Sequence, residues 1–117
     1  MAWRPVDRLR ALCLALPEAT EKETWGDITF RVRDKMFVVT RIGRERPSFT
    51  CKAPPGSQAV LVGADPQRFY VPPYVGGKGW VGVWLDRQPD WDEIAALVRR
   101  SYGLVAPKTL ARQLHEP

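Results

Sequence analysis

Histidine and cysteine are scarce in this chain of 117 residues, and their scarcity excludes several kinds of catalytic and metal site. The one histidine, His115, stands close to the C-terminus, where we expect no ordered pair with a serine or cysteine nucleophile. Cys13 and Cys51 are far apart and lack the C-x-x-C spacing of zinc and redox sites. We therefore expect two reduced, buried thiols, no metal, no cofactor and no catalysis.

Long hydrophobic runs are missing as well. The longest run near the start, residues 11–16, is far too short to cross a bilayer and stops at Pro17. No basic-then-apolar leader opens the chain. These features predict a cytoplasmic protein that does not associate with membranes. The length and an apolar fraction of 44% predict one domain over residues 1–117.

Positive charge is distributed very unevenly along the chain. The formal net charge is +5, and residues 31–52 hold seven basic side chains against two acidic ones. The rest of the chain holds eleven of each sign, so the whole excess lies in this segment. A concentrated positive field attracts polyanions. An arginine-rich overall composition, unrelated to binding, is the alternative explanation.

Hydrophobic periodicity predicts a helix followed by strands. Apolar residues at helical spacing follow Pro5, which suits a first helical turn, and they end at Pro17. Residues 18–27 are polar and mostly acidic, which indicates a connection. Residues 28–33 alternate between apolar and polar as a half-buried strand does, and a second strand returns after a two-residue tip at positions 34–35.

The remaining pattern completes an antiparallel sheet that is covered on one face. A third strand follows Pro47, and the expected register places Arg31, Arg33 and Lys52 on one solvent-facing side. A short helix, one or two strands ending at residues 80–85 and two helices come next. We expect an α+β fold, with an antiparallel sheet of about four or five strands and the N- and C-terminal helices packed on one face.

Two features near the last strand leave alternatives open. The glycine-rich residues 76–79 precede a strand and lack the ending of a phosphate loop, so they indicate a tight turn, from which Lys78 can still reach a phosphate. Trp80 and Trp84 point the same way on either side of Gly82. Their rings either fill the space between sheet and helices or stack against nucleobases.

Short motifs follow one another along the chain in a recognisable order. They include Leu16-Pro17-Glu18-Ala19-Thr20, Trp25-Gly26, Cys51-Lys52-Ala53-Pro54-Pro55, Val71-Pro72-Pro73-Tyr74, Gly79-Trp80-Val81 and Asp90-Trp91-Asp92-Glu93. From about residue 12 to 112, their order and spacing resemble the MmcQ/YjbR family. The resemblance implies a frataxin-like (CyaY-like) fold and DNA binding through a double-wing arrangement of the sheet, and it brings no catalytic residues.

We therefore predict a nucleic-acid-binding module that contacts DNA phosphates largely without regard to base sequence. The binding surface is formed by the basic strand face and the hairpin loops. Its predicted residues are Arg31, Arg33, Lys35, Arg44, Arg46, Lys52, Lys78 and Trp80.

Two other functions remain open at this point. A protein- or small-ligand-binding module would use an aromatic cleft, with side chains from Trp25, Tyr74, Trp80 and Tyr102. An enzyme would need an acid or base with a perturbed pKa in that cleft, and its candidates are Glu18, Asp27 and Lys52.

Overall fold

The computed structural model describes residues 4–86 and 88–114, so His115 lies outside the described residues. Four helices and six strands are present in this part of the chain. In chain order they are α1 (Pro5–Leu14), β1 (Ala19–Thr24), β2 (Asp27–Val32), β3 (Lys35–Arg41), β4 (Ser48–Lys52), α2 (Ser57–Ala64), β5 (Phe69–Tyr70), β6 (Trp80–Trp84), α3 (Trp91–Val105) and α4 (Lys108–Gln113). A short 3-10 turn, Val75–Lys78, precedes β6. No described helix is long and apolar enough to span a bilayer.

The six strands form one antiparallel sheet in the order β1-β2-β3-β4-β6-β5. The N-terminal helix α1 contacts β1, and the long helix α3 packs across β3 and β4. Helix α3 begins where Asp90 accepts a hydrogen bond from the Glu93 backbone, and its apolar stripe faces the sheet. The predicted α+β class, with helices on one sheet face, is confirmed.

The segment predicted as a connection, residues 18–27, contains the edge strand β1. Its alternating charges hid the strand because β1 lies at the border of the sheet, where neither of its faces needs to be apolar. Trp25 and Gly26 form the turn to β2, and both have positive φ, as a tight two-residue hairpin requires.

The hairpin between β2 and β3 turns one residue earlier than predicted. Arg33 and Asp34 occupy its tip, both with positive φ, and Val32 pairs with Lys35. The register then shifts: Arg31 pairs with Met36, whereas Phe30 pairs with Val38. The extra residue in β3, Phe37, is therefore part of a bulge, and it places both Phe37 and Val38 in the core.

The hydrophobic core lies between the sheet and α1 and α3. Phe30, Phe37, Phe49 and Tyr102 are its largest fully buried side chains, and the Phe37 and Tyr102 rings meet edge to face at a centroid distance of 5.4 Å. Ser101 joins helix to sheet: its hydroxyl donates to the Phe37 carbonyl and accepts from the Lys52 amide.

The opposite side of the sheet, which we call the open face, carries the alternate side chains of every strand. Pairing across the strands assigns to it Thr20, Lys22, Thr24, Asp27, Thr29, Arg31, Met36, Val39, Arg41, Ser48, Thr50, Lys52, Tyr70, Trp80, Gly82 and Trp84. Phe49 and Cys51 point into the core, as the alternation in β4 predicts.

Candidate functional site: the basic open face

Four cationic side chains lie on four neighbouring strands of the open face: Lys22 on β1, Arg31 on β2, Arg41 on β3 and Lys52 on β4. They span three strand spacings, about 14 Å across the sheet. Asp27 is the one carboxylate among the open-face strand positions in the described residues, and both of its oxygens accept bonds from Arg44. The face as a whole is therefore positive.

The Arg31 guanidinium is held flat against the sheet. Its nitrogens donate to the hydroxyls of Thr29 and Thr24 and to the Asp34 carbonyl, and only 14% of its side chain is exposed. The Asp34 carboxylate lies 3.7 Å away and is largely solvated. Arg31 thus contributes a positive charge in a fixed position.

Arg33 does not share this face, contrary to the prediction. It sits in the β2–β3 turn and makes a bidentate pair with Glu18, at 2.7 and 3.1 Å. The pair holds the pKa of Glu18 below its usual value and raises that of Arg33. Glu18 directly follows Pro17, whose carbonyl accepts the Tyr102 hydroxyl beneath the helices, so the pair holds Arg33 toward the helix-covered side. Lys35 follows the turn at the start of β3 and is exposed.

The loop between β3 and β4 carries two further predicted residues, and carboxylates hold both. Arg44 binds Asp27 through two bonds of 3.0 Å, and Arg46 binds Asp86 through bonds of 2.7 and 3.2 Å. Each pair cancels one positive charge locally, so the excess counted along the sequence overstates the field here. Arg41, at the end of β3, makes no ion pair within residues 4–86 and 88–114.

Lys52, Lys78 and Trp80 lie toward the other end of the sheet. Lys52 and Trp80 are direct partners across β4 and β6, and Lys78 belongs to the 3-10 turn just before Trp80. Trp80 is only 9% exposed, so its ring has little surface left for a nucleobase. Lys52 and Lys78 make no ion pair among the described residues, which leaves both charges uncompensated.

Aromatic rings and an arginine form a stack along β6. Tyr70 lies directly over Gly82, filling the gap that the sequence indicates between Trp80 and Trp84. The Tyr70 and Trp84 rings stack at a centroid distance of 4.3 Å. The Arg46 guanidinium carbon lies over Trp84, 3.9 Å from the ring centroid. Tyr70, Trp84 and Arg46 therefore make a continuous column on the open face.

The predicted aromatic cleft is not formed, because its four side chains are apart. Tyr102 is fully buried and donates its hydroxyl to the Pro17 carbonyl. Trp25, in the β1–β2 turn, and Tyr74, before β6, are 96% and 98% exposed. Strand pairing puts these two at opposite ends and opposite borders of the sheet.

Tyr74 is displayed by a strained backbone. Its φ and ψ are 67° and −61°, and the Val75 amide donates to the Pro73 carbonyl at 2.7 Å. These are the angles and the bond of the rare γ-turn with positive φ. The turn projects the Tyr74 ring into solvent, away from every other aromatic residue named for the cleft.

Two of the three acid–base candidates, Glu18 and Asp27, are held in ion pairs, whereas Lys52 makes none within the described residues. Glu18 has a lowered pKa beside Arg33, which keeps it ionised, and Asp27 is bound twice by Arg44. Burial raises the pKa of Cys51 to about 12 and raises that of Cys13 as well, so both stay protonated. Within residues 4–86 and 88–114, no three His, Cys, Asp or Glu side chains are placed to hold a metal ion.

Two cations of the open face, Lys22 and Arg41, were not among the predicted site residues. Lys22 was missed because its strand was taken for a connection. Arg41 was counted in the basic segment, but the bulge at Phe37 changes which side of β3 it faces. Alternation assigns Arg41 to the open face only once the pairing of Val39 with Thr50 is known, and the sequence does not reveal that pairing.

Comparison with known proteins agrees with this architecture. The family model described as YjbR matches residues 14–104. A solved structure from Deinococcus radiodurans, protein DR2400 with the domain DUF419, is 28% identical and superposes with a TM-score of 0.79, covering 96% of this chain and 88% of its own. A protein from Pseudomonas syringae is 17% identical, with a TM-score of 0.64 over 88% of this chain and 99% of its own, and so shares the fold.

No curated protein matches the chain. The family model nevertheless covers most of its length, in agreement with the resemblance of the short motifs, and the chain belongs to the YjbR family.

Proposed function

We propose that this protein is a nucleic-acid-binding module that holds DNA phosphates against the open face of its sheet and performs no catalysis. The observation that carries the proposal is the row of cations on four adjacent strands of the open face, Lys22, Arg31, Arg41 and Lys52. Among the described strand positions of that face, the one carboxylate, Asp27, is already bound by Arg44. Cations in such a row attract a polyanion more strongly than the same charges scattered over the surface.

Strand geometry supports contacts with phosphates rather than with base edges. The cations are spread over the sheet, and the hydroxyl side chains between them, Thr29, Ser48 and Thr50, are buried. Lysine and arginine side chains in such an arrangement bind phosphate oxygens and carry little sequence information. Lys78 extends the positive surface at one end of the sheet. Lys35 pairs with the buried Val32, on the helix-covered side, and carboxylates hold Arg44 and Arg46, so these three add little charge to the open face. Arg33, in the turn and paired with Glu18, and Trp80, which is buried, are not part of this surface.

The proposal also includes the cellular compartment and the relationship of the fold to CyaY. We infer that the protein works in the cytoplasm, because two buried reduced thiols suit a reducing compartment. The CyaY-like relationship implied by the motifs is an additional part of the proposal. It is consistent with a sheet whose helices all leave one face uncovered.

The test is fluorescence anisotropy with labelled double- and single-stranded DNA across a salt series. For the native protein, affinity should fall steeply as salt rises, because each neutralised phosphate releases counterions. In the double variant Arg41→Glu/Lys52→Glu, the slope of log affinity against log salt should flatten by roughly two units.

A matched control reverses two charges on the helices, Arg99→Glu/Arg112→Glu, which are both exposed, on α3 and α4. We expect the control to bind DNA nearly as the native protein does. Absence of native binding at low salt, or an equal loss of affinity in the control, would contradict the proposal.

A further inference from the structure

The column of Tyr70, Trp84 and Arg46 is a rigid structure. Tyr70 is fixed at its far end, because its hydroxyl is 2.8 Å from the Ser48 hydroxyl and its ring lies on Gly82. Trp84 is fixed between Tyr70 on one side and Arg46 on the other. Side chains held in this way lose little conformational freedom when a ligand arrives.

Arg46 is the outermost member of the column, and its orientation is set by two contacts. Trp84 supports one face of the guanidinium, and the Asp86 carboxylate takes the Nε and Nη2 edge. The Arg46 side chain is still 42% exposed. Since Trp84 takes one face and Asp86 takes one edge, the opposite face and the other edge are what a ligand could contact. A guanidinium plane of this kind is a surface on which nucleobases stack.

A shallow pocket of about 320 Å³ surrounds this plane. Its lining includes Arg41 and Arg44 beside the column, with Glu45 as its one carboxylate. Arg41 makes no ion pair in the described part of the chain, whereas Arg44 and Arg46 are held by Asp27 and Asp86. The pocket therefore combines a flat guanidinium plane with the Arg41 charge, which no ion pair among the described residues holds, and its rim also carries the exposed Glu45 carboxylate.

We propose that this pocket binds one unpaired nucleobase of a single-stranded nucleic acid, stacked on the Arg46 guanidinium, with a neighbouring phosphate on Arg41. This inference rests on the proposed nucleic-acid function and adds a base-contacting position to a surface that otherwise binds phosphates. Every base has a π-face, so the position accepts any base without selecting a sequence.

The test compares two labelled oligonucleotides of equal length and charge, an oligothymidylate and its abasic counterpart. Binding of both is measured by anisotropy at low salt. The native protein should bind the oligothymidylate at least about fivefold more tightly, since one stacked base contributes on this scale. Arg46→Lys keeps the charge but loses the plane, so it should bring the two affinities together by weakening oligothymidylate binding only.

The control is Arg33→Lys, which changes another exposed arginine in a bidentate pair that touches no aromatic ring in the described residues. It should keep the native preference. Equal native affinities for the two oligonucleotides, or a preference retained in Arg46→Lys, would overturn the base site while leaving phosphate binding intact. Failure of the native protein to bind either oligonucleotide would overturn the nucleic-acid function and the base site together.

Discussion

Gly82 and Tyr70 are in such close contact that no side chain fits between them. A Cβ atom on Gly82 would overlap Cε1 and Cζ of the Tyr70 ring. The absence of a side chain at this point of β6 lets the ring lie on the backbone and bring its hydroxyl to Ser48. A glycine inside a strand commonly marks such a close approach.

Gly82→Ala should therefore lower the free energy of unfolding by about 1–3 kcal/mol, because the Tyr70 ring must move and its stacking on Trp84 is lost. Urea denaturation of native and variant protein measures this difference. Gly103→Ala is the matched control: its Cβ meets no atom within 4 Å, and it lies inside α3. The free energy of unfolding of Gly103→Ala should be higher than that of the native protein by about 0.5–1 kcal/mol, because alanine is favoured over glycine inside a helix. A neutral Gly82→Ala would show that the ring does not occupy this position.

Ser101→Ala should destabilise the protein by about 2 kcal/mol. The substitution leaves the Phe37 carbonyl and the Lys52 amide without their shared partner in a fully buried position. Thermal or urea unfolding gives the difference, with the exposed Thr109→Ala on α4 as the control that should change little. Equal stabilities of the two variants would mean that the Ser101 hydroxyl does not join α3 to the sheet.

The Glu18–Arg33 pair predicts a specific pH dependence. Arg33 lowers the pKa of Glu18 in the folded state, so the pair stabilises the protein above the unfolded-state value of about 4.3. That stabilisation is lost as the pH falls through the lowered folded pKa. Glu18→Gln should be less stable at neutral pH and should show a shallower decline in acid.

Unfolding free energies measured between neutral pH and acid test this difference in slope. Glu45→Gln is the control, because Glu45 is exposed and makes no ion pair among residues 4–86 and 88–114. The free energy of unfolding of Glu45→Gln should change with pH as that of the native protein does. If that of Glu18→Gln followed the same pH dependence, the Glu18–Arg33 pair would contribute nothing to folding.

Cys13 and Cys51 should resist alkylation in the folded protein. Both are fully buried, and burial raises the pKa of Cys51 to about 12, so the reactive thiolate is scarce. Iodoacetamide at mildly alkaline pH, followed by mass spectrometry, should label neither thiol in buffer and both in urea. Rapid labelling without denaturant would show that the core opens far more readily than its packing indicates.

The sequence predicts the fold better than it predicts the site. Alternation identifies β2 and β4, because each has one face in the core and one outside it. It gives the wrong register at the β2–β3 turn, since Arg33 and Asp34 adopt positive φ without the glycine that usually indicates it. The bulge at Phe37 cannot be seen in the alternation of apolar and polar residues, because an extra residue breaks that two-residue period without a sequence signal of its own.

The site is harder to predict because its charges are cancelled by distant residues. Arg44 meets Asp27 and Arg46 meets Asp86, the latter pair separated by 40 positions in the chain. Counting charges along the sequence cannot show these pairs. The folded positions of its neighbours decide whether the charge of a cation is available, as for Arg41, which pairs with no carboxylate among the described residues.

The polar edge strand β1 also affects how copies of this protein behave toward one another. A bare sheet border exposes backbone groups that can pair with a strand of a second molecule. Here Glu21, Lys22 and Glu23 follow one another along that border, and the opposite border is β5, only two residues long. Charge on one side and brevity on the other both disfavour growth of the sheet from molecule to molecule, so this chain is protected at both borders against fibril-like aggregation.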